Sequence, residues 1–364
     1  MKKIHALPAF FSLFFCFSLF GADNFNVKVL QKGKVSCHRK LAYDSHKKKI
    51  SCEPSGVAYN KGNLYVVSDW WKHDKPRLFS YRWNGVTQLT EKGTQISNPL
   101  INSTKKLEDL SVSQDGKYIF ATSSFVFSVS SYRKWKAGNR ILYWPSHSTN
   151  QTQQLRFKED TDESFLRKKL LNVINSKNPK AKFFKIESLA TLPENKLLVG
   201  TREIGLTYED FDYQSLLMTT SYKSGKDNNL YLDAPFKLIT ELKFADSSLQ
   251  GDYALSSLEY DFDDHVLYAL ATRETKDASG SFSTSLWQIA SSDNFSSAEG
   301  LSIKMATTDP GVPLLLPHKF EGISKTRDNH FIVIADDDRV LTTADGTRKP
   351  YETFYYILTS FTSG

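Results

Sequence analysis

An all-β fold, a β-propeller of five blades, is predicted by three features of this sequence. The first is a unit that occurs five times: a polar opening, a short apolar strand, a tight turn, a second apolar strand and a closing polar cluster. The second is that most copies are followed by one or two further strand-like runs, and about four strands per repeat is the content of a propeller blade. The third is a run near the N-terminus, NFNVKVLQK, that can supply the strand lacking after the last copy, where only TFYYILTS remains.

The copies are SGVAYNKGNLYVVSD from Ser55, EDLSVSQDGKYIFATSS from Glu108, ESLATLPENKLLVGTRE from Glu187, SSLEYDFDDHVLYALATRE from Ser256 and EGISKTRDNHFIVIADDD from Glu321. Their openings lie roughly 50 to 80 residues apart, and repeats on that scale mean a solenoid, an array or a propeller. Runs such as KLLVG and LYVVS are rich in β-branched, aliphatic and aromatic residues, as strands require. Turn residues rich in Asp, Asn, Gly and Lys separate them. Further strands are expected at RLFSYRW and TQLTEK, NRILYWP and TQQLRF, and SLWQIA and LSIKMA. Pairing residues 24–31 with residues 354–359 closes the ring and hides its sheet edges. Five blades then balance without remainder; six is the alternative.

One segment departs from the pattern. Residues 162–176, DESFLRKKLLNVINS, place Phe165, Leu166, Leu170, Val173 and Ile174 at helical spacing. This predicts a helical insertion packed on the ring, or a helix that binds a partner.

Residues 1–22 read as a secretory signal: Lys2 and Lys3 lead, an apolar run follows to Phe20, and small residues come after it. The run is too short to span a bilayer comfortably. Residues 23–364 then form one propeller domain, read as a monomer that is secreted or periplasmic. In such a compartment Cys37 and Cys52 read as a disulfide. The formal net charge of +7 is modest, and much of the excess falls in residues 32–49. That stretch suits a solvated basic loop or an anionic surface such as lipid headgroups. Too few aromatic residues interleave with it to stack on nucleic-acid bases.

Function enters through the repeat. The first strand of each unit leaves one face of the ring and the second returns to it, so opening and closing residues gather around one axial mouth. The openings are Ser55, Glu108, Glu187, Ser256 and Glu321, with Glu53 just before the first. The closings are Asp69, Ser123, Arg202 with Glu203, Arg273 with Glu274, and Asp336 with Asp337. Carboxylates crowded on an axis raise one another's pKa unless something compensates them. Arg202 and Arg273, backbone N–H groups between blades, or a hard cation such as calcium held by Glu108, Glu187 and Glu321 would each do so.

At these residues the sequence resembles the bacterial propellers known as esterase-like phytase domains, together with the SdiA-regulated propellers. EPSGV from Glu53, KLEDL from Lys106, KIESL from Lys185 and FEGIS from Phe320 are similar to their E-x-S-G and D-x-E-G openings. The segment from Ala254 is similar to their fourth repeat, and the match runs in order across nearly all of residues 23–364. The resemblance implies a propeller whose mouth binds metal and cleaves phosphate or carboxylic esters. Only Gly56 and Gly322 keep the motif glycine; Asp109, Ser188 and Ser257 replace it elsewhere, which implies a partly filled mouth.

No G-x-S-x-G elbow, H-E-x-x-H pair or phosphate-cradling loop occurs. His73, His265 and His318 read as structural or exposed, and Trp70 with Trp71 as the floor of a pocket or the underside of a loop. The absence of an identifiable nucleophile or histidine base favours binding of a ligand or partner over hydrolysis.

Overall fold

The computed structural model describes residues 25–38, 51–69, 76–83, 89, 92–126, 136–160, 164–247, 249–274, 282–309, 311–326, 329–338 and 340–361. The expected secretory signal, most of the basic stretch, Trp70, Trp71 and His73 lie outside them.

The strands assemble into five antiparallel blades, each opening with a hairpin whose first strand is innermost. Blade 1 runs Pro54–Asn60, Asn63–Ser68, Leu78–Arg82 and Thr94–Ile96. Its fourth strand lies just beyond TQLTEK, of which Leu89 and Lys92 are described and each form an isolated bridge. Blade 2 runs Leu107–Val112, Tyr118–Ser123, Ile141–Pro145 and Gln153–Leu155. Blade 3 has the inner pair Phe183–Leu192 and Lys196–Thr207; its third strand, Ser215–Ser224, pairs with both Leu230–Leu232 and Lys237–Leu242. Blade 4 runs Ala254–Asp261, Val266–Glu274, Phe282–Ala290 and Ser302–Met305.

Blade 5 takes Phe320–Lys325, His330–Ala335 and Glu352–Phe361 from the end of the chain and Asn26–Ser36 from its beginning. The closing pair is antiparallel, from Asn26 opposite Phe361 to Ser36 opposite Glu352. It closes the ring with five blades, as the strand count requires.

Alternation along each strand decides the packing. Side chains of one strand point in turn to the two neighbouring blades, so the apolar residues sort into five clusters, one for each pair of adjacent blades. In blade 3, Leu197 and Val199 face blade 2, whereas Leu198 between them faces blade 4. The helix Ser164–Lys177 covers the interface of blades 2 and 3 with Leu166, Leu170 and Ile174 buried. Arg167 fastens it by donating to the carbonyls of Phe125 and Lys182. This face of the helix packs on the ring.

Cys37 and Cys52 are buried and joined by a disulfide, their Cα atoms 5.6 Å apart. Both backbone N–H groups donate to the turn at Pro350 and Tyr351, so the bond ties the closing strand to blade 1. A loop of this size stabilises by about 3 kcal/mol in the chain-entropy model. Replacing both cysteines by serine is expected to lower the melting temperature by roughly 5–10 °C, read by thermal melts with and without reductant. Equal melting of the variant and the oxidised protein would show that the bond contributes nothing. Lys32 and Lys34 of the basic stretch are committed to blade 5: Lys32 reaches Asp345 at 2.9 Å and Lys34 donates to the Thr347 carbonyl. No described helix is long and apolar enough to cross a membrane.

Candidate functional site

The mouth is built by a β-bulge repeated in every blade. Pro54 faces Ser68 and Gly56 faces Val67, which leaves Ser55 unpaired. The same skip leaves out Glu108, Glu187, Ser256 and Glu321 in the other four blades. A bulge re-aims a side chain that the regular pleat would send into an interface. Each skipped residue is the opening residue of its repeat, so one local irregularity, used five times, assembles the ring.

Three residues beyond the expected set change its electrostatics. Two positions before each opening glutamate stands a lysine: Lys106, Lys185 and Lys319. Lys319 lies 2.9 Å from Glu321, 3.5 Å from Glu274 and 3.4 Å from Asp338. Lys106 lies 3.2 Å from Asp69 and 4.0 Å from Glu108, and Lys185 pairs with Glu187. The triplet K-x-E recurs at three of the five openings, but only the closed ring brings each lysine beside the glutamates of the mouth.

Arg202 completes the network. It donates to Ser256 at 2.9 Å and Glu274 at 2.6 Å, and lies 3.9 Å from Glu321. It reaches the axis because blade 3 carries a second bulge: Lys185 faces Glu203 and Ile186 faces Thr201, which leaves Arg202 unpaired. In blade 4 the equivalent inner ladder ends at Ala254 opposite Thr272, and beyond it Arg273 and Glu274 pair regularly with Ser283 and Phe282 of the third strand. Alternation then sends Glu274 to the mouth and turns Arg273 away, to donate to the Gln250 carbonyl. The compensation expected of Arg273 therefore comes from the lysines.

The carboxylates separate into two groups. Burial works to raise Glu187, but Lys185 and Arg202 outweigh it and hold its carboxyl below the usual range. Asp69 is held down against burial by Lys106, Lys185 and Lys319, and Glu274 falls to about 2 through Arg202 and Lys319. Burial wins elsewhere. It lifts Glu53 to about 9 with help from Asp69, raises Glu108 together with Glu187, and raises Asp336 together with Asp338. Glu321 is lifted by burial to about 7.

Other expected residues take structural parts. Ser55 donates to the Leu107 carbonyl and joins blades 1 and 2. Ser123 bonds Arg140 within blade 2. Asp337 clamps His318, which is fully buried.

Below the mouth the axis is plugged. Asp109 accepts from the N–H groups of Leu110 and Leu189 at 2.9 Å and of Leu258 at 3.3 Å, and from Ser257 Oγ. Ser257 Oγ in turn accepts from Ile323 N–H. A Cβ on Gly56 would stand 2.6 Å from Asp109 Cα, and one on Gly322 would stand 2.9 Å from Val57 N. Gly56 thus admits the close approach of Asp109, and Gly322 that of blade 1 to blade 5. The mouth is a closed-bottomed polar basin.

Among the described residues, no three His, Cys, Asp or Glu side chains group so as to hold a metal ion. Fold and site together define a five-bladed β-propeller with a charged axial mouth. No family model matches the chain, and no curated protein matches it.

Solved structures give distant likenesses. A member of the DUF4221 family from Bacteroides vulgatus is 7% identical with a TM-score of 0.40, over 94% of this chain and 99% of that one. The GH62 α-L-arabinofuranosidase catalytic domain of Coprinopsis cinerea is 10% identical with a TM-score of 0.42, over 94% and 99%. The periplasmic gluconolactonase of Pseudomonas aeruginosa is 11% identical with a TM-score of 0.34, over 92% and 99%. Likenesses of this size say nothing of residues or reaction.

Proposed function

We propose that this propeller is an exported binding module whose mouth takes a small polar ligand bearing an anionic group, with Lys185 as the main contact. The observation that carries the reading is Lys185 itself. An ammonium offers three donors, yet among the described residues Lys185 has one carboxylate partner, Glu187, and its side chain is 13% exposed. Burial opposes its charge, but Glu187 and Glu108 outweigh burial, so it stays protonated. Glu108 Oε1 and Glu203 Oε2 are buried in the same network without hydrogen-bond partners. A charge contact in so enclosed a basin is worth more than one in open water.

A second reading has one observation in its favour. Glu321, lifted to about 7, shares the network with Glu187, which is held low. Carboxyls pushed apart in this way suit acid and base roles, and ester hydrolysis of the phytase-like kind would use them.

Calorimetric titration of the purified chain with phytate and inorganic phosphate tests the proposal, alongside turnover assays on phytate and a short-chain p-nitrophenyl ester. The expected result is binding without turnover, weakened at least tenfold in Lys185→Met. Absence of binding, or binding unchanged in Lys185→Met, would overturn it. Turnover that disappears in Glu187→Gln would replace it with the hydrolase reading. Calcium is tested in the same preparation: a melting temperature that rises with calcium, falls with chelator and stops responding in Glu187→Gln with Glu321→Gln would add a hard cation to the basin.

A further inference from the structure

The face of the ring opposite the mouth carries a cavity of 820 Å³, between blade 2 and the turn at residues 225–229 of blade 3. Lys61 and Lys117, from hairpin turns that point away from the mouth, stand at its rim. Its wall is organised around Tyr143. This ring packs edge-to-face on Tyr118, with centroids 6.1 Å apart. The Tyr143 hydroxyl accepts from Leu230 N–H and donates to Gln153 Oε1 at 2.9 Å. Gln153 Nε2 donates to Asn229 Oδ1, and Asn229 Nδ2 donates to Asp227 Oδ2.

The chain Tyr143, Gln153, Asn229, Asp227 therefore spans two blades and holds two amides and a carboxylate in set orientations. Each amide nitrogen still has a second hydrogen to give, and the Asp227 oxygens have lone pairs to spare. Tyr118 is half-exposed beside them. From this arrangement we infer that the cavity is a binding site for a neutral saccharide. Paired donors and acceptors along a wall match vicinal hydroxyls, and an aromatic ring offers an apolar surface to the C–H face of a pyranose. Phosphate or nucleic acid would call for a cluster of cations, whereas here Asp227 stands with two lysines at the rim. A lipid chain would call for an apolar wall, and this one is lined mainly by amides and hydroxyls.

The site is independent of the mouth, and the test keeps the two apart. The full chain, made in bacteria so that Asn150 of the N-Q-T sequon on the wall stays unmodified, is titrated with maltotriose, cellotriose and triacetylchitotriose. Binding is followed by calorimetry and by tyrosine and amide NMR shifts. At least one sugar is expected to bind, and Tyr118→Ala and Asn229→Ala each to weaken it at least tenfold with melting unchanged, while Lys185→Met binds as the parent does. No binding by any of the three sugars would overturn the inference. So would binding that survives Tyr118→Ala, or that is lost in Lys185→Met alone. Should Tyr118→Ala melt early, Tyr118→Leu keeps the bulk without the ring face and is read in its place.

Discussion

Replacing Asp109 with alanine is expected to cost about 3–5 kcal/mol of stability and to lower the melting temperature by on the order of 10 °C. The side chain starts on blade 2, accepts from backbone of blades 3 and 4, and meets Ser257, which itself accepts from blade 5. Removing it leaves Leu189 N–H and Leu258 N–H as buried donors without acceptors, at about 1–3 kcal/mol each. Asparagine is the sharper variant. It keeps the shape, but both carboxylate oxygens accept from backbone N–H groups, so the amide NH₂ meets another donor whichever way it turns. Asp109→Asn should therefore fall close to alanine in a denaturant titration. Were it as stable as the parent, Asp109 would be filling space and not joining blades.

The second large effect is expected at His318. Its Nδ1 lies 2.8 Å from Asp337 and its Nε2 2.9 Å from Asp345, within a ring of Phe320, Phe354 and Tyr356. Asp345 also meets Lys32 and the Tyr356 hydroxyl, so the cluster fastens the closing strand to blade 5. Removing one partner of a buried ion pair costs about 3–5 kcal/mol, and His318→Gln should lose that much near pH 6.

The pH dependence follows from the directions of the shifts. Burial would lower the imidazole, but Asp337 and Asp345 outweigh it, so the folded pKa lies above 6.5. The imidazolium's contribution is then complete below about pH 6.5 and is lost as pH rises through the folded value. Asp345 is held below 3.8 by Lys32 and His318 against burial. Its contribution is present above about pH 3.8 and is lost as pH falls through its lowered folded value. Denaturant titrations at pH 5.5, 7 and 8.5 should show the parent losing stability with pH across that range and His318→Gln losing less. Parallel slopes would mean that His318 does not carry the charge assigned to it.

Much of this architecture was present in local pattern. Period-two strands, hairpin turns and five spaced copies of one unit implied the blades, and the apolar runs at both ends implied how the ring closes. Cys37 and Cys52 were paired from their spacing and setting, and Leu166, Leu170 and Ile174 announced the helix that packs on blades 2 and 3. The opening residues of the mouth were also legible, because a repeat places equivalent residues equivalently around an axis. Asp109, Ser188 and Ser257 could be recognised as departures from a glycine pattern, and two of them now form the plug.

Charge partnership was a different matter. Lys106, Lys185 and Lys319 look like ordinary strand-edge lysines in the sequence; only the closed ring turns them inward beside the glutamates. Arg202 and Arg273 occupy matching places in the repeat, yet an extra bulge against the inner strand sends one to the axis, while the other lies past the end of the inner pairing at Thr272 and turns away. Side-chain period and turn chemistry act over a few residues, so the chain itself determined the strands, the repeat and the closure. Which buried charges meet, and so which carboxyls stay ionised, depends on distances set between blades, and that was decided by the tertiary structure alone.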